Sequence, residues 1–236
     1  PDLRARLTPD YTIGCKRILI SDDWYPTITR PDVDVVTDGI AEVRAHSIVT
    51  TDGTERPADT IICATGFHVA DFPAGHRIVG PGGDTLSEAW WRRGSMEAYL
   101  GTSVAGFPNL FLLVGPNTGL GHTSMVFMIE SQVAYVMDAL AHMDSTAAST
   151  LEVREDALAG YNDDLQRRLA GTVWNAGGCR SWYLDANGRN TTLWPGSTWT
   201  FRRRTRRFDP WAYVTRPGPA PAPGAPDAQP APAGAR

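Results

Sequence analysis

Two adjacent cations, Lys16 and Arg17, stand in the stretch GCKRILI, directly before an apolar run. A guanidinium offers a planar fork of donors and an ammonium a point charge. Together they suit an anion, or negative charge that develops during a reaction. A solvated basic pair at a strand entrance would look the same. A second group lies in NLFLLVGPNTGLGHTSMVFMIE, where Gly119, Gly121, His122, Thr123 and Ser124 form a partial G-x-G-x-x-G with Ser in the last place. The standard dinucleotide fingerprint is not met, because no acidic residue closes a second strand at the expected distance. Backbone N–H groups at a helix start still carry partial positive charge and favour an electron-rich partner. The plain alternative is a helix capped by Thr123, with His122 at the surface. In IICATGF a strand ends at Thr65-Gly66, where small residues let the backbone approach a ligand. An ordinary glycine turn explains it equally. Arg202, Arg203, Arg204, Arg206 and Arg207 form a dense basic run. It reads as partners for acidic side chains or as the lining of an anionic ligand.

These residues need elements to hold them. The pattern predicts a loop over 1–14 and strands over Arg17–Ile20 and Val33–Thr37. Strand, strand, turn and strand follow, with Asp52-Gly53 as the turn. Thr60–Ala64 is a continuous apolar run, as in a strand buried on both faces of a parallel sheet. A long Gly/Pro loop spans 72–83. DTLSEAWWRRG predicts a short helix capped by Asp84 or Thr85 and ended before Gly94. A strand over Leu110–Val114 leads into the glycine turn. From Ser124 to about Met143 the spacing of Met125, Met128, Ile129, Val133, Val136, Met137 and Leu140 predicts a helix. Glu152 or Asp156 opens another through Arg168 and Leu169. Strands alternating with helices indicate an α/β fold.

The bulk numbers exclude several classes. A net charge of −4 and a pI near 5.7 give no electrostatic case for nucleic acid or an anionic membrane. No stretch reaches the ~20 apolar residues of a membrane span. Cys15, Cys63 and Cys179 are odd in number and far apart, which argues against a disulfide framework and for a reducing cytoplasm. No metal-ligand spacing links them to the histidines. The chain opens at Pro1 without Met and is expected to be a piece of a longer protein.

In this order, GCKR, ICATGF, FPNLFLLVGPNTGLGHTS, SWYLDANGRNTTLWPG and FRRRTRRF span most of residues 10–209. Together they resemble the C-terminal part of a Baeyer–Villiger monooxygenase, a class B flavoprotein monooxygenase. The resemblance implies C-terminal parts of two Rossmann-like dinucleotide-binding domains. Residues 1–66 would end the NADPH domain, 67–213 would end the FAD domain, and 214–236 would be a disordered Pro/Ala-rich tail. It implies FAD and NADPH as cofactors, with O₂ and a small-molecule ketone as reactants. A flavin peroxide would attack the carbonyl to give an ester or lactone. Arg17 would stabilise the negative charge in that step, and Lys16 would hold the NADPH 2′-phosphate. Thr65 and Gly66 would mark the crossing between domains. Pro116, Asn117, His122, Thr123 and Ser124 would face the flavin, and Trp182 the nicotinamide cofactor. Two alternatives stay open: oxygenation at N or S, and a non-catalytic remnant. The remnant is suggested because neither G-x-G-x-x-G nor F-x-G-x-x-x-H-x-x-x-W-P occurs in these residues.

Overall fold

The computed structural model describes residues 2–66, 69, 72–121 and 123–217. His122 and the stretch 218–236 lie outside the described residues. In chain order the elements are α1 (Asp2–Leu7), α2 (Trp24–Ile28), β1 (Ile40–Val43), β2 (Ser47–Thr50), β3 (Glu55–Pro57), α3 (Leu86–Arg92), α4 (Met125–Thr146), β4 (Ala148–Val153), α5 (Glu155–Ala170), α6 (Val173–Ala176), α7 (Thr198–Arg204) and β5 (Tyr213–Pro217). The chain forms two compact units, Pro1–Phe72 with Gln166–Thr191, and Pro73–Leu165 with Thr192–Arg236. The stretch 166–191, expected in the second domain, belongs to the first unit.

In the first unit β1, β2 and β3 form an antiparallel sheet, with Ile40 opposite Thr50 and Ser47 opposite Pro57. The β2–β3 turn is the expected Asp52-Gly53, with Gly53 at φ +83°. Asp52 Oδ1 accepts from the Thr50 hydroxyl at 2.6 Å and the Thr54 N–H at 3.0 Å. These bonds, the Thr50 one foremost, pull the Asp52 carboxyl down from 3.8 to about 2. A lowered native pKa gives stability that is present above the unfolded value and lost as pH falls through the folded one. Protection of the turn amides from hydrogen exchange is therefore expected to fall between about pH 4 and pH 2. Asp52→Asn should flatten that profile, and a wild-type profile already flat across the window would contradict it.

Four expected strands are absent. Arg17–Ile20, Val33–Thr37, Thr60–Ala64 and Leu110–Val114 have no strand pairing, and every described sheet is antiparallel. Apolar, β-branched residues supply a chain able to pair, but pairing needs a neighbour, and no described strand lies beside these runs. Ile18, Leu19, Ile20 and Ile62 are accordingly 59, 83, 96 and 87% exposed. In the last run a local cause adds to this, since Val114 sits at φ +57°, outside extended backbone. The expected N-terminal loop contains α1, and the expected 72–83 loop contains a 3₁₀ turn over Pro73–Arg77.

The second unit begins with α3. Thr85 caps it and Glu88 returns the bond to the Thr85 N–H at 2.8 Å, a full capping box. Leu86, Ala89 and Trp90 of α3 pack on Ala98, Val104 and Phe107. The Trp90 indole N–H donates to the Glu97 carbonyl at 2.8 Å, so its one polar atom is satisfied inside the core. The helix α4 has the predicted period but a different phase. Met128, Ser131, Gln132, Tyr135 and Ala139 are buried, while Val126, Val133, Met137 and Leu140 are exposed. Helix α4 packs on β4 and α7, and β4 pairs antiparallel with β5. The Tyr135 hydroxyl donates to Tyr213 at 3.2 Å, and Tyr213 to Ser103 at 3.0 Å. Burial raises both phenols, Tyr213 to about 12. Strand β5 carries ordered chain to Pro217, past the expected boundary at 213, because β4 offers its edge to residues 213–217.

Candidate functional site

In the first unit, residues far apart in sequence meet around one covalent link. Cys15 and Cys179 form a disulfide across 164 residues, with Cα atoms 6.1 Å apart. This corrects the expectation of unpaired cysteines. Wide spacing along the chain does not bear on distance in the fold, and the argument for a reducing cytoplasm loses its footing. Around the link the Thr12 N–H donates to the Gly177 carbonyl at 3.0 Å. Gly177 lies flat on the bridge, since a Cβ there would stand 2.8 Å from Cys15 Cβ and 2.9 Å from its Sγ. On either side of this junction lie the predicted site residues. Lys16 is exposed and rests its ammonium 4.5 Å from the Tyr11 ring centroid. Arg17 is exposed, and its charge acts on the buried Tyr183 phenol. Burial pushes that phenol up and Arg17 pulls it back. Trp182 is 47% exposed and lies against Tyr183 with ring centroids 4.5 Å apart. Thus Lys16, Arg17 and Trp182 are parts of one unit.

The Trp182–Tyr183 pair stands at the foot of a tight turn. Leu184 bridges Asn190, and Asp185 Oδ1 accepts the N–H groups of Asn187 and Arg189, both at 2.9 Å. The Asn190 amide donates to Asn175 of α6 at 3.0 Å and its carbonyl accepts from Gln166 of α5 at 2.8 Å. The motif LDANGRN is therefore a fastened turn that fixes where the aromatic pair points. Thr65 and Gly66 belong to the same unit, both exposed, with Gly66 at φ +91°. They end no strand, so the expected strand-end site is not formed by these residues.

The second group belongs to the other unit. Pro116 and Asn117 are buried, and Asn117 adopts φ +57°. Its amide donates to the Leu193 carbonyl at 3.2 Å. Gly119 gives its N–H to Thr192 at 2.7 Å and accepts from Trp194 at 2.9 Å, a parallel bridge that ties the GPNTG turn to the LWPG segment. Thr123 and Ser124 are exposed at the start of α4. Ser124, not Thr123, is the cap, and its hydroxyl accepts from the Phe127 N–H at 3.4 Å. His122 lies outside the described residues.

Sequence reasoning missed Gln132. Fully buried on α4, it donates to the Gly101 carbonyl and the Thr102 hydroxyl, both at 3.0 Å, and to the Leu112 carbonyl at 3.3 Å. Its Oε1 accepts from the Val114 N–H at 2.9 Å. It thereby fixes the chain that enters the GPN turn. The signal was a glutamine four residues after Met128 and three before Tyr135, on the buried face of the helix.

Two further depressions line the second unit. One, of about 720 Å³, holds Arg92, Arg93, Arg154 and Arg216. Each pairs with a carboxylate of the same cavity: Arg92 with Asp84, Arg93 with Glu155, Arg154 with Asp156 and Arg216 with Glu152. That self-neutralised lining offers little net charge to a ligand. The other, of about 450 Å³, runs between α4 and α7 and includes Trp199, Arg202, Arg203 and Arg206. Within the basic run, Arg204 reaches Asp164 at 3.5 Å and Arg202 lies 4.8 Å from the Phe127 ring centroid. Among the described residues no group of His, Cys, Asp or Glu could hold a metal ion, and no helix is long and apolar enough to cross a membrane.

No protein-family model matches the chain. A Baeyer–Villiger monooxygenase of Streptomyces coelicolor is 54% identical over 222 residues, which are 93% of this chain and 42% of that protein. Among solved structures, an oxidised steroid monooxygenase bound to NADP superposes with a TM-score of 0.77 at 31% identity, over 92% of this chain and 42% of that one. A complex of OTEMO with FAD and NADP gives 0.74 at 26% identity, over 87% of this chain and 38% of that one. Over nearly its whole length the chain is similar to part of flavoprotein monooxygenases. Its family is that of the Baeyer–Villiger monooxygenases, and it spans about two fifths of the length of the curated relative it matches.

Proposed function

We propose that the chain is the C-terminal part of an FAD- and NADPH-dependent monooxygenase that inserts one atom of O₂ into a ketone to give an ester or lactone. The observation that carries this reading is the gathering of Lys16, Arg17 and Trp182 in one unit around the Cys15–Cys179 link. The residues present suit the reacting ends of the two cofactors. A point charge and a guanidinium belong to the same unit as an exposed indole, the groups a phosphorylated, flat cofactor needs. In the other unit the first turn of α4 presents backbone N–H groups to an electron-rich ring. When bound, FAD reduced by NADPH supplies the electrons that activate O₂.

The chain's own residues then divide the work. Lys16 holds the 2′-phosphate. Arg17 sets a fixed positive charge where negative charge gathers on oxygen, which lowers the barrier without reorganisation. Trp182 covers a flat apolar face and keeps water from it. Asn117 and the Thr123–Ser124 turn bear on the ring that accepts electrons. Residues 1–66 supply the end of the NADPH domain, and residues 67–213, apart from the stretch 166–191 that belongs to the first unit, the end of the FAD domain.

The phosphate-cradling glycine loops have no counterpart in the sequence. The 236-residue chain by itself is therefore expected to bind FAD weakly or not at all, because backbone N–H cradles supply much of the grip on a pyrophosphate. Quenching of flavin fluorescence measures this, and tight stoichiometric binding would refute it. For the reaction, the full-length protein carrying this chain should convert phenyl ketones to esters with NADPH. Sulfoxide from thioethers with no ester from any ketone would overturn the assignment.

A further inference from the structure

We propose that the Cys15–Cys179 disulfide is a redox-reversible clamp that positions Lys16 and Arg17 against the Trp182–Tyr183 segment. The proposal rests on the functional reading above for the roles of Lys16 and Trp182, and on geometry alone for the clamp. Residues 16–20 are all exposed and pair with no strand. Within this chain the segment that carries both cations has no described strand to hold it. What fixes its start is the junction at Cys15, which is fully buried against Gly177. A chain spans at most ~3.6 Å per residue, so short tethers limit position strongly. Arg17 follows Cys15 by two residues and Trp182 follows Cys179 by three, so the bridge confines both groups to one neighbourhood.

The chemistry of opening is ordinary thiol–disulfide exchange. Cys179 is half-buried whereas Cys15 is fully buried, so Cys179 sulfur is the one an external thiolate reaches. Attack forms a mixed disulfide at Cys179 and releases Cys15 as the thiolate. The second thiol of a dithiol reductant then displaces Cys179, leaving two thiols here and one disulfide on the reductant. Closure needs a two-electron oxidant, for which a peroxide suffices. The two thiols give up two electrons and two protons, the S–S bond forms, and the peroxide leaves as two waters.

The test uses the full-length protein, treated with hydrogen peroxide or with dithiothreitol. Peptide mapping without reduction should find Cys15 and Cys179 joined in the first sample and separate in the second. Amide exchange over 12–18 and 180–184 should speed up about tenfold on reduction, while β4 and β5 stay unchanged. The KM for NADPH should rise about tenfold, and the KM for NADH should not, since only NADPH carries the phosphate that Lys16 meets. General loosening of the fold would not separate the two cofactors. Cys15→Ser with Cys179→Ser should match the reduced protein and ignore dithiothreitol, and Cys15→Ala with Cys179→Ala repeats the test should serine disturb the buried position. An absent cross-link under peroxide, or unchanged exchange on reduction, overturns the clamp whatever the activity. Faster exchange with a constant NADPH-to-NADH preference overturns its positioning role. Faster exchange in a protein that never consumes NADPH supports the clamp and refutes the monooxygenase reading instead.

Discussion

Arg17→Ala in the full-length protein is expected to abolish ester formation while NADPH oxidation continues. Lys16 and Arg17 are neighbours in sequence but offer different chemistry. An ammonium grips a phosphate as well from several directions, so Lys16 suits a binding role. A guanidinium is fixed in plane and always charged, so Arg17 suits a site where charge appears only as the reaction proceeds. Removing a donor of that kind costs about 10²–10³ in rate, or roughly 3–4 kcal/mol of barrier. The Arg17 charge already works on its surroundings, where it opposes the upward push that burial exerts on Tyr183. The alanine variant should therefore also move the Tyr183 titration upward, a readout independent of turnover. Arg17→Lys keeps the charge without the fork and should recover only part of the rate. Ester yield per NADPH consumed is the measurement. Ester formation by Arg17→Ala at the wild-type rate would remove Arg17 from the catalytic role.

How legible the protein was depends on where the determining interactions lie. Local ones were readable. The Thr85 capping box, the Asp52-Gly53 turn and the body of α4 depend on residues within one or two turns of chain, and they stand where the pattern put them. Non-local ones were not. Arg17–Ile20 and Thr60–Ala64 have strand composition without a strand, because pairing is decided by a partner and not by the run itself. The phase of α4 was misjudged for a related reason. Counting apolar residues favoured Val133 and Met137, yet the buried face holds Ser131, Gln132 and Tyr135, whose polar atoms find partners inside. The disulfide was hidden by chain distance, and β5 by a composition that turns Pro-rich just as the strand ends. GCKR and SWY are parts of one unit although nothing in their spacing says so, and the expected boundary at residue 66 set them in different domains.

Gln132→Met should destabilise the protein by roughly 2–5 kcal/mol, the cost of leaving two or three buried polar groups without partners. Methionine matches the length of glutamine and fills the same space, so the loss isolates the hydrogen bonds. Four are involved, to Gly101, Thr102, Leu112 and Val114. The last matters most. Val114 is β-branched and sits at φ +57°, a conformation that costs about 1–3 kcal/mol unless the surroundings impose it. Its N–H is held by Gln132 Oε1, and the turn to Pro116 and Asn117 starts at the next residue. Without that bond Val114 is free to return to negative φ, and Asn117 would lose its direction toward Leu193. Gln132→Glu is the informative companion. Its carboxylate still accepts from Val114 but meets the Gly101 and Leu112 carbonyls with repulsion, so it should keep the turn and lose stability. Denaturant unfolding gives the first quantity, and the Asn117 side-chain amide signal reports the second. A Gln132→Met protein as stable as wild type, with that signal unmoved, would mean that packing on α4 alone sets the turn.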